Sequence, residues 1–336
     1  MTTKRKAGKH SPESQHGRLR VSSDEQREHL MVQAAKLYHD LDRTQSEIAK
    51  ELGLTRWQIG RLLSDARAHG VVRVDIVPRS PRRPNLESEL QRRYKLREAV
   101  VVPVTLQNEG IILDSVALAG AQFIAALYPK PKMFGISWGR TMAAMVRWMP
   151  YGWNQGLHVV VLNGGTGRTS SPTQPVDVAV RLANSAGGFA TILPVPAILG
   201  LRSTKDALEQ DPVIASVLAL AEKVTIACFT MGALSAKSVH VESGHLTKKE
   251  VALLRKKGAI GDILGRFINV DGEIADRDIN ARTVGLDPAM LRRKEYSICV
   301  AGGESKHRVM RAGLRAGYFN VLITDEKAAR YLLQNG

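Results

Sequence analysis

Apolar residues recur at helical spacing in the first fifth of the chain and in short continuous runs afterwards. That change of period divides the sequence. Residues 24–69 read as three helices. Leu30, Ala34, Leu37 and Leu41 mark the buried stripe of the first. The second starts at Thr44 with Glu47 three residues on, a capping box in which side chain and backbone satisfy each other's free N–H groups. Gly53 stops it. The third starts at Thr55, with Gln58 in the same reciprocal position, and ends at Gly70. Ile48, Leu52, Leu54, Ile59, Leu62 and Leu63 fill the predicted core, and Ala49 is small where two helices meet. VVRVDIV (71–77) alternates like a short strand, the wing of a winged helix-turn-helix.

PRSPRRPN (78–85) interrupts both periods, because closely spaced prolines suit neither a helix nor a strand interior. Beyond it, apolar runs alternate with helical stretches: AVVVPV, MFGIS, LHVVVLNGG, ATILPVPA, KVTIACFTMG, DILGRFIN, YSICVAGG and FNVLITD. Continuous apolar strands between helices predict an α/β domain with a mainly parallel sheet covered on both faces. The expected organisation is a basic arm (1–23), a helical domain (24–77), a linker (78–85) and an α/β domain (86–336).

Charge strengthens the division. The chain carries 48 Lys+Arg against 32 Asp+Glu, a net +16, which concentrates it near polyanions such as nucleic acid. Residues 1–83 hold 17 basic and 10 acidic residues, a balance of +7 in a quarter of the length. The two cysteines, Cys228 and Cys299, sit in apolar runs and read as small buried hydrophobes. No Cys/His cluster has zinc spacing, so no metal or other cofactor is expected. With no apolar stretch after the N-terminal charges and no run long enough to span a bilayer, the expected location is the cytoplasm.

The stretch TQSEIAKELGLTRWQIGRLLSDARAHG joins two helices by a short turn at Gly53, so that the second can enter a major groove of double-stranded DNA. The candidate DNA-binding residues are Thr44, Thr55, Arg56, Trp57, Gln58 and Arg61. Arginine can pair with guanine O6 and N7, glutamine with adenine. Thr55 and the first-turn N–H groups suit phosphate. Trp57 has two readings, packing or a contact with the sugar-phosphate edge, with base readout placed behind both. A bundle serving assembly alone is the plainer alternative for the whole unit.

TQSEIAKELGLTRWQIGRLLSDARAHGVVRVDIV, LREAVVVP, FGISWGRTM, VVVLNGGTG, ILPVPA, KGAIGDILGRFINVDG and VAGGESKHRVMRAGLRAGYFNVLITDE, in that order, resemble the SorC-type (SorC/DeoR-like) sugar-binding transcriptional regulators over about residues 26–335. The resemblance implies a bacterial repressor or activator of a carbohydrate operon, not an enzyme. Its effector domain would resemble sugar-phosphate isomerases in fold. It would assemble as a dimer or tetramer on a palindromic operator, in response to a sugar, polyol or sugar phosphate and without a membrane. Two features depart from the family pattern: Gly60 stands where serine is common, and the basic arm lies outside the family core.

In open α/β sheets, ligands bind beyond the carboxyl ends of the strands. NGGTG places Gly164, Gly165, Thr166 and Gly167 there, and AGGESK places Gly302, Gly303 and Lys306 there. Glycine lets backbone N–H groups approach an anion. The resemblance implies that both loops bind the effector's phosphate, with Lys306 pairing to it, and that Asp262 meets sugar hydroxyls. Weaker candidates are Ser137, Arg140 and Thr141 in GISWGRT, and Arg181 on the helix after NGGTG. Plainer readings stay open: GGTG as a turn, Lys306 as solvated, Asp262 as a helix cap, Arg140 as a partner for a neighbouring helix. His158, His240, His245 and His307 read as ordinary polar positions. An isomerase-like enzyme is the rival function, with Asp262 the only obvious carboxylate beside a glycine loop to serve as base. A sequence-indifferent packaging protein is a third.

Overall fold

A computed structural model describes residues 23–72, 82–104, 108–167 and 173–336. The arm through residue 22 and the expected wing from residue 73 lie outside them. The chain falls into two compact units, residues 1–78 and 79–336.

Among its described residues the first unit has three helices: α1 (Ser23–His39), α2 (Gln45–Leu52) and α3 (Arg56–Ala68). Both predicted capping boxes form, at Thr44 with Glu47 and at Thr55 with Gln58. Gly53 closes α2 in the left-handed region, at φ 66°. Ile48, Ala49, Ile59, Leu62 and Leu63 are buried with Met31, Ala34, Ala35 and Ala66. Leu41 is not in that core: α1 ends at His39, and Leu41 is 63% exposed in the turn beyond it. Trp57 is also outside the core, at 70% exposed.

The second unit opens with α4 (Pro84–Tyr94), so Pro84 and Asn85 are helical rather than linker. Pro84 stands in the first turn, where its missing N–H would have had no helical partner. There follow β1 (Glu98–Val102), α5 (Glu109–Ala125), β2 (Met133–Ile136), α6 (Arg140–Arg147), β3 (His158–Val161), α7 (Pro175–Ser185), β4 (Phe189–Thr191), α8 (Arg202–Gln210), α9 (Pro212–Lys223) and β5 (Ile226–Phe229). Next come β6 (Met231–Ala233), α10 (Val239–Glu242), α11 (Lys248–Lys256), β7 (Gly261–Ile263), β8 (Arg266–Ile268), α12 (Arg277–Asn280), α13 (Pro288–Leu291), β9 (Tyr296–Val300), α14 (His307–Arg315), β10 (Val321–Asp325) and α15 (Glu326–Asn335).

Seven parallel strands form one sheet in the order β1-β10-β9-β5-β2-β3-β4. Alternate residues of β1 serve different cores: Val100 and Val102 join one apolar cluster, Ala99 and Val101 the other. That two-sided burial is why the strands read as unbroken apolar runs. From β2 the chain winds outward through β3 and β4, then returns to lay β5 on the other side of β2. The strand order therefore switches direction between β2 and β5.

Three expected strands differ. ATILPVPA keeps strand geometry only through Thr191. KVTIACFTMG divides at Thr230, with β5 in the large sheet and β6 in a small antiparallel sheet, β6-β7-β8. DILGRFIN is a hairpin, not one strand: Leu264 and Gly265, at φ 52° and 80°, make the two-residue turn between β7 and β8. Two consecutive positive φ values match the twist of a tight hairpin.

Candidate functional site

On the three-helix unit, Thr44, Thr55, Arg56, Trp57, Gln58 and Arg61 are all exposed. The Thr55 and Gln58 side chains are engaged with each other: Gln58 Oε1 accepts from Thr55 N at 2.8 Å and from its hydroxyl at 2.9 Å. A two-point contact with adenine needs that same oxygen, so only the Gln58 amide donors remain available for bases. The Arg61 guanidinium lies 5.6 Å from the centre of the Trp57 ring. Stacking there holds a long cation against an exposed plane. Thr44 caps α2 in the same manner as Thr55 caps α3.

In the larger unit, a cavity of about 330 Å³ opens where the sheet order switches. It is at the small end of metabolite-sized pockets. Four strand ends supply it: Ser137 follows β2, Asn163 lies past β3, Thr230 follows β5, and Gly302 and Gly303 lie past β9. The β6–β7–β8 hairpin sheet adds Asp262, and α10 adds His240.

Lys306 Nζ donates to the hydroxyls of Thr141 and Thr230, both at 3.1 Å. An ammonium has three protons, so one remains for a ligand. Burial draws the Lys306 ammonium down to about 8, because the charged form loses solvation. An anion beside it would restore that loss.

Asp262 is 8% exposed. Its Oδ2 accepts from Gly265 N at 3.1 Å and contacts His240 Nε2 at 3.2 Å. Its Oδ1 has no partner among the described residues. A Cβ on Gly232, its cross-strand neighbour, would come within 2.1 Å of that oxygen. Gly232 therefore makes the room in which the carboxylate stands. The buried Ser137 Oγ, Asn163 Oδ1 and His240 Nδ1 are likewise without partners among the described residues. Burying such atoms unpaired costs about 1–3 kcal/mol each, and a polyhydroxylated ligand would satisfy them. Trp138 packs edge-on to both His240 and His245. Burial, reinforced by His240, lowers His245 to about 4, so its ring is neutral near pH 7.

Arg140 borders the cavity but is half-exposed, donating to the Lys237 carbonyl at 2.6 Å and facing Glu242 at 3.6 Å. The structure thus gathers Ser137, Arg140, Thr141, Asp262, Gly302, Gly303 and Lys306 around one space. It does not bring Gly164, Gly165, Thr166, Gly167 or Arg181 to it. The N–H of Gly164 goes to the Val284 carbonyl, and those of Gly165 and Thr166 go to Val195. The glycines are there for close packing: a Cβ on Gly165 would meet the Trp138 ring at 2.4 Å, and one on Gly164 would meet the Pro196 carbonyl at 2.5 Å. Arg181 is exposed on α7. Within the other glycine loop, the Gly303 N–H also has a protein partner, the Asp325 carboxylate, at 2.8 Å.

Sequence reasoning passed over Asn163, Thr230 and His240. Thr230 follows an apolar strand, so the rule that places ligands at strand ends would have found it. Asn163 opens the NGGTG motif, where the glycines drew the attention. His240 has no signal in its spacing. Among the described residues, no group of three or more His, Cys, Asp or Glu could hold a metal ion, and no helix is long and apolar enough to cross a membrane.

A family model described as "Putative sugar-binding domain" matches residues 82–334. The deoxyribonucleoside regulator of Bacillus subtilis (strain 168) is 31% identical over 312 residues, covering 93% of this chain and 99% of its own. The erythritol catabolism regulatory protein EryD of Brucella abortus is 31% identical over 308 residues, covering 90% and 96%. The crystal structure of the full-length sorbitol operon regulator SorC from Klebsiella pneumoniae superposes with a TM-score of 0.67 at 27% identity, covering 91% of this chain and 98% of that one.

Proposed function

The chain belongs to the SorC-type family of sugar-binding transcriptional regulators, and on that premise we propose that its three-helix unit reads operator DNA under control of a small anionic polyol held in the cavity. The observation that carries the reading is one set of unsatisfied atoms. A partly desolvated ammonium with a proton to spare lines the same cavity as Asp262, whose Oδ1 has no partner among the described residues, and as Ser137 and Asn163, whose Oγ and Oδ1 are buried without one. One cation with several hydrogen-bonding oxygens suits a phosphate or carboxylate joined to a hydroxylated chain. The names of relatives, a deoxyribonucleoside regulator and an erythritol regulatory protein, agree with that chemistry.

On the DNA side, α2, the Gly53 turn and α3 form a helix-turn-helix. Arg56 and Arg61 are the candidates for base or phosphate contact, and Thr55 stands at the phosphate-facing end of α3. Assembly as a dimer or tetramer would place two or more such helices on a palindromic site.

The test has two stages. A thermal-shift screen of sugars, polyols and their phosphates should find a ligand that adds about 2.7 kcal/mol of stability at a hundredfold its Kd. A duplex selected from random DNA should then change its affinity for the protein when that ligand saturates the cavity. An affinity indifferent to the ligand removes the regulatory half of the reading. Turnover of the ligand by wild-type protein, lost in Asp262→Asn, would replace the sensor with an enzyme.

A further inference from the structure

The cavity loop and the point where the chain enters the larger unit are joined by a short series of polar contacts. Gly303, in the cavity wall, donates its N–H to Asp325 Oδ2 at 2.8 Å. Asp325 is 1% exposed, and its other oxygen caps α15 by accepting from Ala328 N at 3.0 Å. The next residue, Glu326, holds Arg83 Nε at 2.7 Å. Arg83 is bolted down a second time, its N–H reaching the Val101 carbonyl at 3.0 Å. Beside it, Arg82 pairs with the buried Glu87 at 2.8 Å. A parallel tie links the same two elements: Lys327 of α15 meets Glu304 of the cavity loop at 2.8 Å. By chain connectivity, Arg83 is eleven residues beyond Val72, the last described residue of the three-helix unit.

We propose that the Arg83–Glu326 ion pair reports cavity occupancy to the segment from which the DNA-reading unit is tethered. The proposal rests on the cavity reading given above. A ligand that fixes the Gly302–Lys306 loop fixes the Gly303 N–H that donates to the Asp325 carboxylate. A fixed Asp325 steadies the first turn of α15, where Glu326 stands. Glu326 then holds Arg83, and with it the start of the tether, in one place. A ligand acts at a distance only through such differential contacts. The side chains of Arg83 and Glu326 are 43% and 24% exposed. A pair that open to water transmits a modest bias, about two- to fivefold.

The test uses the full chain, with ribose 5-phosphate and inorganic phosphate as probes, each at a concentration where the thermal shift has saturated. Hydrogen exchange at the Arg83 amide is compared with and without probe. In the wild type, either probe should slow that exchange about two- to fivefold. In Glu326→Gln the thermal shift should persist, but the change at Arg83 should vanish. Arg83→Gln, read at the neighbouring Val101 amide, cuts the same pair from the other side and should behave alike. The relay is overturned if the probe leaves Arg83 exchange unchanged in the wild type, or slows it equally in Glu326→Gln. Absence of any thermal shift in the wild type with either probe would instead overturn the cavity reading beneath it.

Discussion

Two glycine loops at the carboxyl ends of parallel strands of one sheet, β3 and β9, look alike in sequence and do different work. NGGTG follows β3, and AGGESK follows β9. In the first, the backbone donors of Gly164, Gly165 and Thr166 are consumed by the Val284 and Val195 carbonyls. The loop's role is architectural: it lets Trp138 pack closely against the chain, with the indole N–H bonded to the Gly164 carbonyl at 2.8 Å. In the second, the chain turns at Gly303, with φ 92°, and delivers Lys306 into the cavity. A glycine turn is therefore a permission, not a site. What decides is where the spare hydrogen bonds point, and in both loops the cavity is served by a side chain, Asn163 or Lys306.

The sharpest way to break this comparison is Lys306→Met. A hydrogen bond to a charged group contributes about 1.5–3 kcal/mol, so affinity for a phosphorylated ligand should fall about 10- to 150-fold by calorimetry. The ligand-free protein should not lose melting temperature, because the lost group is an ammonium that burial disfavours. Retained affinity would return the anion-binding role to another residue. On the other loop, Gly165→Ala should act on the fold. Its Cβ would press on the Trp138 ring, and overpacking of that kind costs about 1–3 kcal/mol, read in chemical unfolding. An unchanged unfolding midpoint would mean that the indole moves aside freely.

A pH titration separates the loops more gently. Lys306 is held near 8, below its ordinary 10.5, so below pH 8 it is charged both in the folded cavity and in the unfolded chain. Two opposite trends should follow above that point. Affinity for inorganic phosphate should fall as pH rises through 8, by about tenfold per unit at most, since the anion needs the ammonium. Stability of the ligand-free protein should gain a contribution between about 8 and 10.5, since there the unfolded chain binds the proton and the folded one does not. Lys306→Met should abolish both slopes. A wild-type affinity flat from pH 7 to 9 would put the anion elsewhere.

The sequence made the architecture legible where one rule acted alone. Capping boxes at Thr44 and Thr55 are local chemistry, and they formed as read. Unbroken apolar strands such as EAVVV reported a sheet covered on both faces. Legibility failed where tertiary contact assigned the role. Asp262 reads as a helix cap or a strand residue, and only the pairing of β6 with β7 sets it opposite Gly232 and beneath His240. Trp57 reads from sequence either as packing or as a contact with the sugar-phosphate edge, and only the fold shows it 70% exposed beside Arg61. DILGRFIN hid its turn because Leu264, a bulky residue, occupies a left-handed position that sequence rules reserve for Gly, Asn or Asp.

The smallest expected effect tests the architectural loop hardest. Thr166 is exposed, and among the described residues its one hydrogen bond is made by its backbone N–H, which alanine keeps. Surface substitutions of this kind fall within about 0.5 kcal/mol, so Thr166→Ala should alter ligand affinity by about twofold or less. A residue that donated its hydroxyl to a bound phosphate would lose far more, and would lose it without any change in melting temperature. That combination, weakened binding in an otherwise unaltered protein, would mean the ligand reaches past Asn163 to the rest of NGGTG. The two loops would then be one site, and Gly164 and Gly165 would position a binding residue rather than only seat an indole.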